Sequence, residues 1–310
     1  MRAIVIAKPG GPEVLELRQV PTPEPGPNEV RVRVRATAVN RADLLQRLGL
    51  YPAPAGAPAD IPGLEYAGEI DAVGPLVSDV PVGQRVFGLV GGGAYAEHVV
   101  VHAREVAPIP EGMAFVEAAA IPEAFVTVYD ALVVQAGVAA GERVLVHAVG
   151  SGLGTAAAQL GRALGWYTIG TSRTEAKLEP ARALGLAEGI VAEGGRFADA
   201  VRTITGGRGV DAVLELVGGA YVAEDLSCIA PGGRIVLVGL LAGPRVEVDL
   251  ATLLRKRVLL KGTVLRSRPL EEKIGAAQLL TRHLAPLFAQ GALRPVVDRV
   301  LRLEQAAEAH

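Results

Sequence analysis

The chain has 310 residues, enough for about two domains of ~150 residues each and a large buried core. With 31 basic and 33 acidic residues the formal charge is −2; half of the residues are hydrophobic and 21% charged, which excludes a disordered or polybasic chain and gives no sign of a nucleic-acid partner. One cysteine, Cys228, excludes an intramolecular disulfide and any zinc site built from several thiolates.

The apolar N-terminal run is broken by Lys8 and Pro9 and is too short for a secretory signal. The longest uncharged stretch, residues 144–161, holds four glycines and His147 and is too polar to span a membrane. A cytoplasmic protein with no membrane partner is the expectation.

The first 112 residues are dense in glycine and proline turn signals. Residues 29–39 alternate Val30, Val32 and Val34 with Arg31, Arg33 and Arg35, the period of two of a half-buried strand. Further short strands are expected at 65–74, 84–90 and 95–103, making this part antiparallel and β-rich. From residue 115 the spacing turns helical, with Pro122 expected to kink or divide the helix. Apolar strands follow at 143–148, 167–171, 187–191, 212–216, 234–239 and 258–262 with helical segments between most of them, the alternation of a doubly wound parallel sheet. After Thr263, a helix over 270–290 and a strand near 296–301 read as a return to the first domain. The expected architecture is α/β: a parallel-sheet domain, 116–262, inserted into a β-rich domain formed by 1–115 and 263–310, with the ligand cleft between them.

Residues 143–160, RVLVHAVGSGLGTAAAQL, carry a buried strand through a glycine turn into a helix. Glycines there let the backbone approach a pyrophosphate, whose charge the free N–H groups of the helix start stabilise. The spacing departs from G-x-G-x-x-G, because Val149 and Ser151 stand where the first two glycines fall; Ser151, Gly152, Leu153 and Gly154 form the turn. The same glycines would also serve to pack a helix closely on a strand, but the second strand ending at Thr171 favours a dinucleotide. After such a strand, NAD-binding turns carry an acidic residue for the ribose diol. Here Ser172, Arg173 and Lys177 would instead hold a 2′-phosphate, which points to NADPH, unless the two cations are simply a solvated helix start. Gly218 with Gly219, and Gly239 with Leu240, Leu241 and Ala242, lie at strand ends where open α/β sheets bind ligands.

KPGGPE (8–13), NRADLLQRLGLYPAPAGA (40–57), AAAIPEAFVTVYDAL (118–132), HAVGSGLGTAAAQL (147–160) and LRSR (265–268) together resemble the zinc-independent quinone oxidoreductase branch of the medium-chain dehydrogenase/reductase superfamily. Within that branch they are most similar to the tumour-suppressor-inducible group. The resemblance covers nearly the whole chain. It implies a Rossmann-type domain inserted into a GroES-like catalytic domain, and a homodimer joined through the sheet edges of the cofactor domains.

The zinc-dependent relatives bind their catalytic metal with a cysteine in a G-x-C-x-x-D-like segment and a histidine in G-H-E. Here those segments read AVNRAD (38–43) and GLE (63–65), so Asn40 and Leu64 replace both ligands and no zinc is expected. His98 and His102 have a helical metal pair's spacing but flank a β-branched run and read as structural. The resemblance places Asn40 and Tyr51 on the substrate side as catalytic candidates. It sets Thr127 near the nicotinamide ribose, in a segment that also holds Pro122 and Glu123, and Arg268 at the nicotinamide end. Read blandly, Tyr51 anchors its loop beside Pro52 and Pro54, Glu123 caps the helix after Pro122, and Arg268 lies on the surface. Members of the group continue past an A-x-E-A-H segment with a helix and a closing strand. This sequence stops at His310, which implies either a shortened chain or a missing strand and an open sheet edge.

Without zinc to polarise an alkoxide, oxidation of a simple alcohol is poorly supported, whereas a quinone or conjugated enone needs only a hydride donor and hydrogen bonds at its carbonyl oxygen. The expectation is an enzyme, an NADPH:quinone oxidoreductase. The alternative is an NADPH-dependent enone or 2-enoyl thioester reductase. From a different class, a non-catalytic nucleotide- or RNA-binding role remains, against which the near-neutral charge argues.

Overall fold

An antiparallel pair, β1 (Arg2–Ile6) and β2 (Leu15–Gln19), opens the chain in the computed structural model, which describes residues 1–310. Ala3, Ile4 and Val5 are successive buried residues, so this strand lacks the alternation that makes a strand legible in sequence. β3 (Glu29–Thr37) does follow its Val–Arg alternation: Val30 and Val32 are fully buried, and Arg31 and Arg35 turn to the other face. There they meet carboxylates of β4 (Glu65–Val73), Arg31 at 2.8 Å from Asp71 and Arg35 at 2.7 Å from Glu69. With β5 (Arg85–Leu89), β6 (His98–His102) and β7 (Ala107–Pro108) these strands form an antiparallel sheet of order β6–β3–β4–β5–β7. α1 (Arg41–Arg47) follows β3, and α2 (Phe115–Ala119) packs on β3 and β4. Pro122 divides the predicted helix: α2 stops at Ala119, and a wide π-type turn runs over Pro122–Val126.

The next element, α3 (Thr127–Tyr129), begins a separate compact unit, Thr127–Val264; the other unit is Met1–Val126 with Leu265–His310. The boundary falls later than residue 116 because α2 packs on the antiparallel sheet and so stays with it. The second unit holds a six-stranded parallel sheet, β8 (Arg143–Val146), β9 (Tyr167–Ser172), β10 (Glu188–Val191), β11 (Val210–Glu215), β12 (Ile229–Leu237) and β13 (Leu259–Gly262), in the order β10–β9–β8–β11–β12–β13. The helices between are α4 (Gly152–Leu164), α5 (Leu178–Leu184), α6 (Ala198–Ile204), α7 (Tyr221–Cys228) and α8 (Leu250–Lys256). Every residue of β11 is buried, as a strand covered on both faces requires. Strand order reverses between β8 and β11, the switch point at whose carboxyl ends such sheets bind ligands.

The chain then rejoins the first unit through α9 (Leu270–Leu279), a π-type turn at Leu280–Leu284, α10 (Ala285–Ala289) and α11 (Ala306–Ala309). The strand expected at 296–301 does not form. Its apolar residues Val296, Val297 and Val300 find no sheet partner and are 55%, 39% and 66% exposed. No helix is long and apolar enough to cross a membrane.

Candidate active and cofactor sites

In the first unit, Asn40 closes β3's exit and starts α1: its backbone N–H donates to Asp43 Oδ2 at 2.8 Å, a carboxylate in the first turn of the helix it serves. Its side-chain Nδ2 donates to Glu65 Oε1 at 2.6 Å. The second Glu65 oxygen accepts the backbone N–H of Glu123 at 2.8 Å. Asp43 Oδ1 accepts from the Gly63 N–H at 3.0 Å, and the Tyr95 hydroxyl lies 3.4 Å from Oδ2.

Burial raises the carboxyls of this group: Asp43 to about 6, Glu123 to about 7 and Glu65 to about 8. The hydrogen bonds accepted by Asp43 and Glu65 oppose the shift, and Arg266 opposes it for Asp43 and Glu123. Arg266 is itself 8% exposed and donates to the carbonyls of Gly91 at 2.7 Å and Tyr51 at 3.2 Å, with its guanidinium 5.1 Å from the Tyr51 ring centroid. Tyr51 is thus fixed by its backbone and ring, not by its hydroxyl. Burial raises the pKa of that hydroxyl, so it stays protonated at neutral pH.

In the second unit, Ser151 caps α4, its Oγ accepting the Gly154 N–H at 3.1 Å. A Cβ on Gly154 would lie 2.4 Å from the Val149 backbone, so only glycine lets the helix start this close to the strand end. Gly152 has open space where a Cβ would be. Val149, at the first fingerprint glycine's place, is matched on β9 by Gly170, where a Cβ would meet the Val149 side chain at 2.8 Å. Leu153 is half-buried in the first turn of α4, and Thr127 is 8% exposed on α3, which packs against α4.

Ser172 ends β9 and is buried, its Oγ accepting the Thr174 N–H at 3.3 Å, while Arg173 and Lys177 are exposed just beyond it. Gly218 and Gly219 take positive φ, +70° and +54°. Their turn is tied to the next loop by Ala242 N–H to Val217 O at 2.7 Å and Gly219 N–H to Gly243 O at 3.1 Å. A Cβ on Gly239 would meet Leu216 O at 2.6 Å; Leu241 is 55% exposed.

Residues 26–111 match the family model for an alcohol dehydrogenase GroES-like domain, and residues 152–282 that for a zinc-binding dehydrogenase. A quinone oxidoreductase of Lama guanicoe is 36% identical over 315 residues, covering all of this chain and 92% of its own. The chain belongs to the quinone oxidoreductase family of the medium-chain dehydrogenases/reductases, and is an oxidoreductase. Among solved structures, the Escherichia coli quinone oxidoreductase complexed with NADPH superposes with a TM-score of 0.86 at 29% identity, covering 100% of this chain and 95% of that one. The CurK enoyl reductase does so at 0.85 and 29%, covering 99% and 93%.

This member of the family brings Asn40 and Tyr51 into one unit with two residues the sequence reading did not single out, Glu65 and Arg266. Arg268 has a largely buried side chain that lies 3.8 Å from Glu272 on α9. The zinc implied by the model that matches residues 152–282 is poorly fitted by the side chains at the expected positions: Leu64 is buried and has no donor atom, and Asn40 offers a neutral amide in place of a thiolate. His98 lies on β6 with Nε2 3.0 Å from Asp71.

The raised pKa of Glu65 has a direct consequence for stability. A carboxyl held protonated by the fold favours folding fully below its ordinary 4.5, and that contribution is lost as pH rises towards about 8. Glu65→Gln has nothing to ionise, so its thermal midpoint should rise relative to wild type across that window, whatever its value at low pH. Parallel curves for the two proteins would contradict the assignment.

Proposed function

We propose that the protein reduces quinones with NADPH and without zinc. The observation that carries the cofactor reading is the end of β9, where a small buried hydroxyl, Ser172, is followed by two exposed cations, Arg173 and Lys177, and no carboxylate stands at the strand end for a ribose diol. Those three groups would hold the 2′-phosphate by charge-assisted hydrogen bonds. The N–H groups of Gly152 and Leu153 at the start of the 13-residue α4 would face the pyrophosphate, with Ser151 and Gly154 shaping the turn. Thr127, Gly218, Gly239, Leu241 and Arg268 are assigned to the rest of the cofactor. When bound, NADPH supplies the hydride.

The chain's own residues supply donors and dryness. One N–H of the Asn40 amide goes to Glu65, which aims the other at a substrate oxygen. Tyr51, protonated at neutral pH, offers its hydroxyl to the oxygen on which charge develops. Glu65 is a positioning residue, since it acts through Asn40. Zinc independence is supported by the donor set: Leu64 and Asn40 stand where a histidine and a cysteine would bind zinc, and a leucine side chain has no donor atom. The likeness to an enoyl reductase favours a second reading, reduction of a 2-enoyl thioester by the same residues.

A dimer is proposed through β13, an edge strand whose four residues are all exposed; Leu250 and Leu254 of α8, a helix that packs on the neighbouring β12, are exposed as well. Leu260→Glu on this edge should shift the sedimentation coefficient from dimer to monomer; a wild type that sediments as a monomer would refute the dimer.

Turnover of 1,2-naphthoquinone and of a 2-enoyl thioester with NADPH and with NADH, by wild type, Tyr51→Phe and the double variant Arg173→Ala/Lys177→Ala, tests the reading. The double variant should lose about tenfold or more in kcat/KM for NADPH and little for NADH, and Tyr51→Phe should lose about tenfold in kcat on the quinone with cofactor affinity kept. Equal use of both cofactors by both proteins would refute the 2′-phosphate assignment, an unchanged kcat the role of Tyr51, and turnover of the thioester alone the quinone reading.

A further inference from the structure

Beneath the switch point of the parallel sheet lies a polar cluster that the cofactor reading does not use. His147 directly follows β8, Glu215 ends the neighbouring β11, and Asp225 projects from α7; all three side chains have zero exposure. His147 Nε2 lies 2.8 Å from Asp225 Oδ1, and its Nδ1 lies 2.8 Å from Thr171 Oγ1 on β9. Both contacts are satisfied by a neutral imidazole that donates to Asp225 and accepts from the Thr171 hydroxyl. Burial lowers the His147 pKa to about 4, in keeping with that neutral form. Glu215 Oε1 accepts the backbone N–H groups of Val217 and Gly218, the latter at 2.9 Å, and so shapes the turn that follows β11.

Two atoms are left over. Glu215 Oε2 and Asp225 Oδ2 are buried and have no hydrogen-bond partner while both carboxyls are taken as acceptors. Carboxylate oxygens of the two residues lie within 4.8 Å of each other and of His147. One proton placed between them turns two orphan acceptors into a donor–acceptor pair and removes one of two like charges from a fully buried site.

We infer that Glu215 and Asp225 share one proton, and that this pair, locked to β8 and β9 through His147 and Thr171, is the positioning element for the turn at residues 217–219. The carboxyls behave accordingly: burial raises Glu215 to about 7 and Asp225 to about 8, and the hydrogen bond between them adds to the first shift and opposes the second, as when one partner donates and the other accepts. Around them, the Phe197 and Tyr221 rings close on His147 at 4.7 Å and 4.9 Å. Among charged and titratable neighbours, Glu224 on α7 raises Asp225 further, and Cys228 at the end of the same helix faces Asp225. Arg202 of α6 and Lys256 of α8 act on Cys228, and Arg173 acts on Tyr221. No cation touches either carboxylate directly, so the shared proton is what offsets their charge. A metal fits less well: the 2.8 Å between His147 Nε2 and Asp225 Oδ1 is a hydrogen bond's length, whereas two ligand atoms each about 2 Å from one ion stand further apart.

The functional part of this inference rests on the reading that the turn at 217–219 faces NADPH; the proton itself does not. The test uses wild type, Glu215→Gln, Asp225→Asn and Glu215→Ala. The infrared difference spectrum at neutral pH, wild type minus the double variant Glu215→Gln/Asp225→Asn, should show a protonated carboxyl C=O stretch, the band of protonated Glu65 being common to both proteins and cancelling. NADPH titrated by fluorescence should bind Glu215→Gln within about threefold of wild type at pH 7, because the amide keeps the acceptor and donates towards Asp225. Affinity of wild type should fall about tenfold as pH rises beyond the pair's titration while Glu215→Gln stays flat, and Glu215→Ala should weaken binding about tenfold with kcat little changed.

Should Glu215→Ala fail to fold, the Gln variant and the spectrum decide. Absence of the carboxyl band, a Gln variant that behaves like Ala, or a stoichiometric metal lost with Asp225→Asn would overturn the inference. Failure of NADPH to bind wild type at all would count against the cofactor reading alone, since the band is read without it.

Discussion

A carboxyl group with 3% exposure at the start of a strand must have both oxygens met by donors or give up its charge, and Glu65 is held under that constraint. Its oxygens join two separate stretches of chain: the Asn40 side chain, where β3 gives way to α1, and the Glu123 backbone, where Pro122 has broken the helix. The break at Pro122 is therefore useful, because the π-type turn that follows presents an N–H to β4 that an uninterrupted helix would have spent internally. Fixing Glu65 orients the Asn40 side chain, and the neighbouring Asp43 ties the start of α1 to Gly63. One buried carboxyl thus orients the amide that begins α1 and ties it to the turn after Pro122.

The second unit solves a different problem, bringing backbone N–H groups close to an anion. Gly154 lets α4 begin against the Val149 backbone, and Gly170 makes room on β9 for the valine that stands in a glycine's usual place. The departure from G-x-G-x-x-G is compensated one strand away. The buried His147, Glu215 and Asp225 lie below both turns and link the ends of β8, β9 and β11 to α7. The turns that would meet the cofactor are built on a hydrogen-bonded floor as well as on glycines.

Much of this was legible in residue pattern. β3 declares itself because one face is buried and the other carries arginines, and the parallel strands appear as short apolar runs because both of their faces are covered. The β1–β2 pair and the unformed strand at 296–301 show the limit: the first buries consecutive residues without alternation, the second has suitable residues but no partner strand. Asn40 could be found from the segment that carries it, whereas Glu65 could not be singled out, since its partner at Glu123 is 58 positions away and nothing local marks a glutamate as buried. In LRSR, Arg266 is drawn inward by the Gly91 and Tyr51 carbonyls, which are remote in sequence. His147 reads locally as one polar residue in an apolar strand, and its meaning depends on Asp225, 78 positions on.

Metal-free reduction by this donor set is tested most directly by measuring quinone turnover with NADPH before and after exhaustive dialysis against a strong chelator, with metal content determined on the same samples. The structure predicts undiminished turnover and zinc far below one atom per chain throughout. Stoichiometric zinc whose removal abolishes turnover, and whose return restores it, would contradict that prediction.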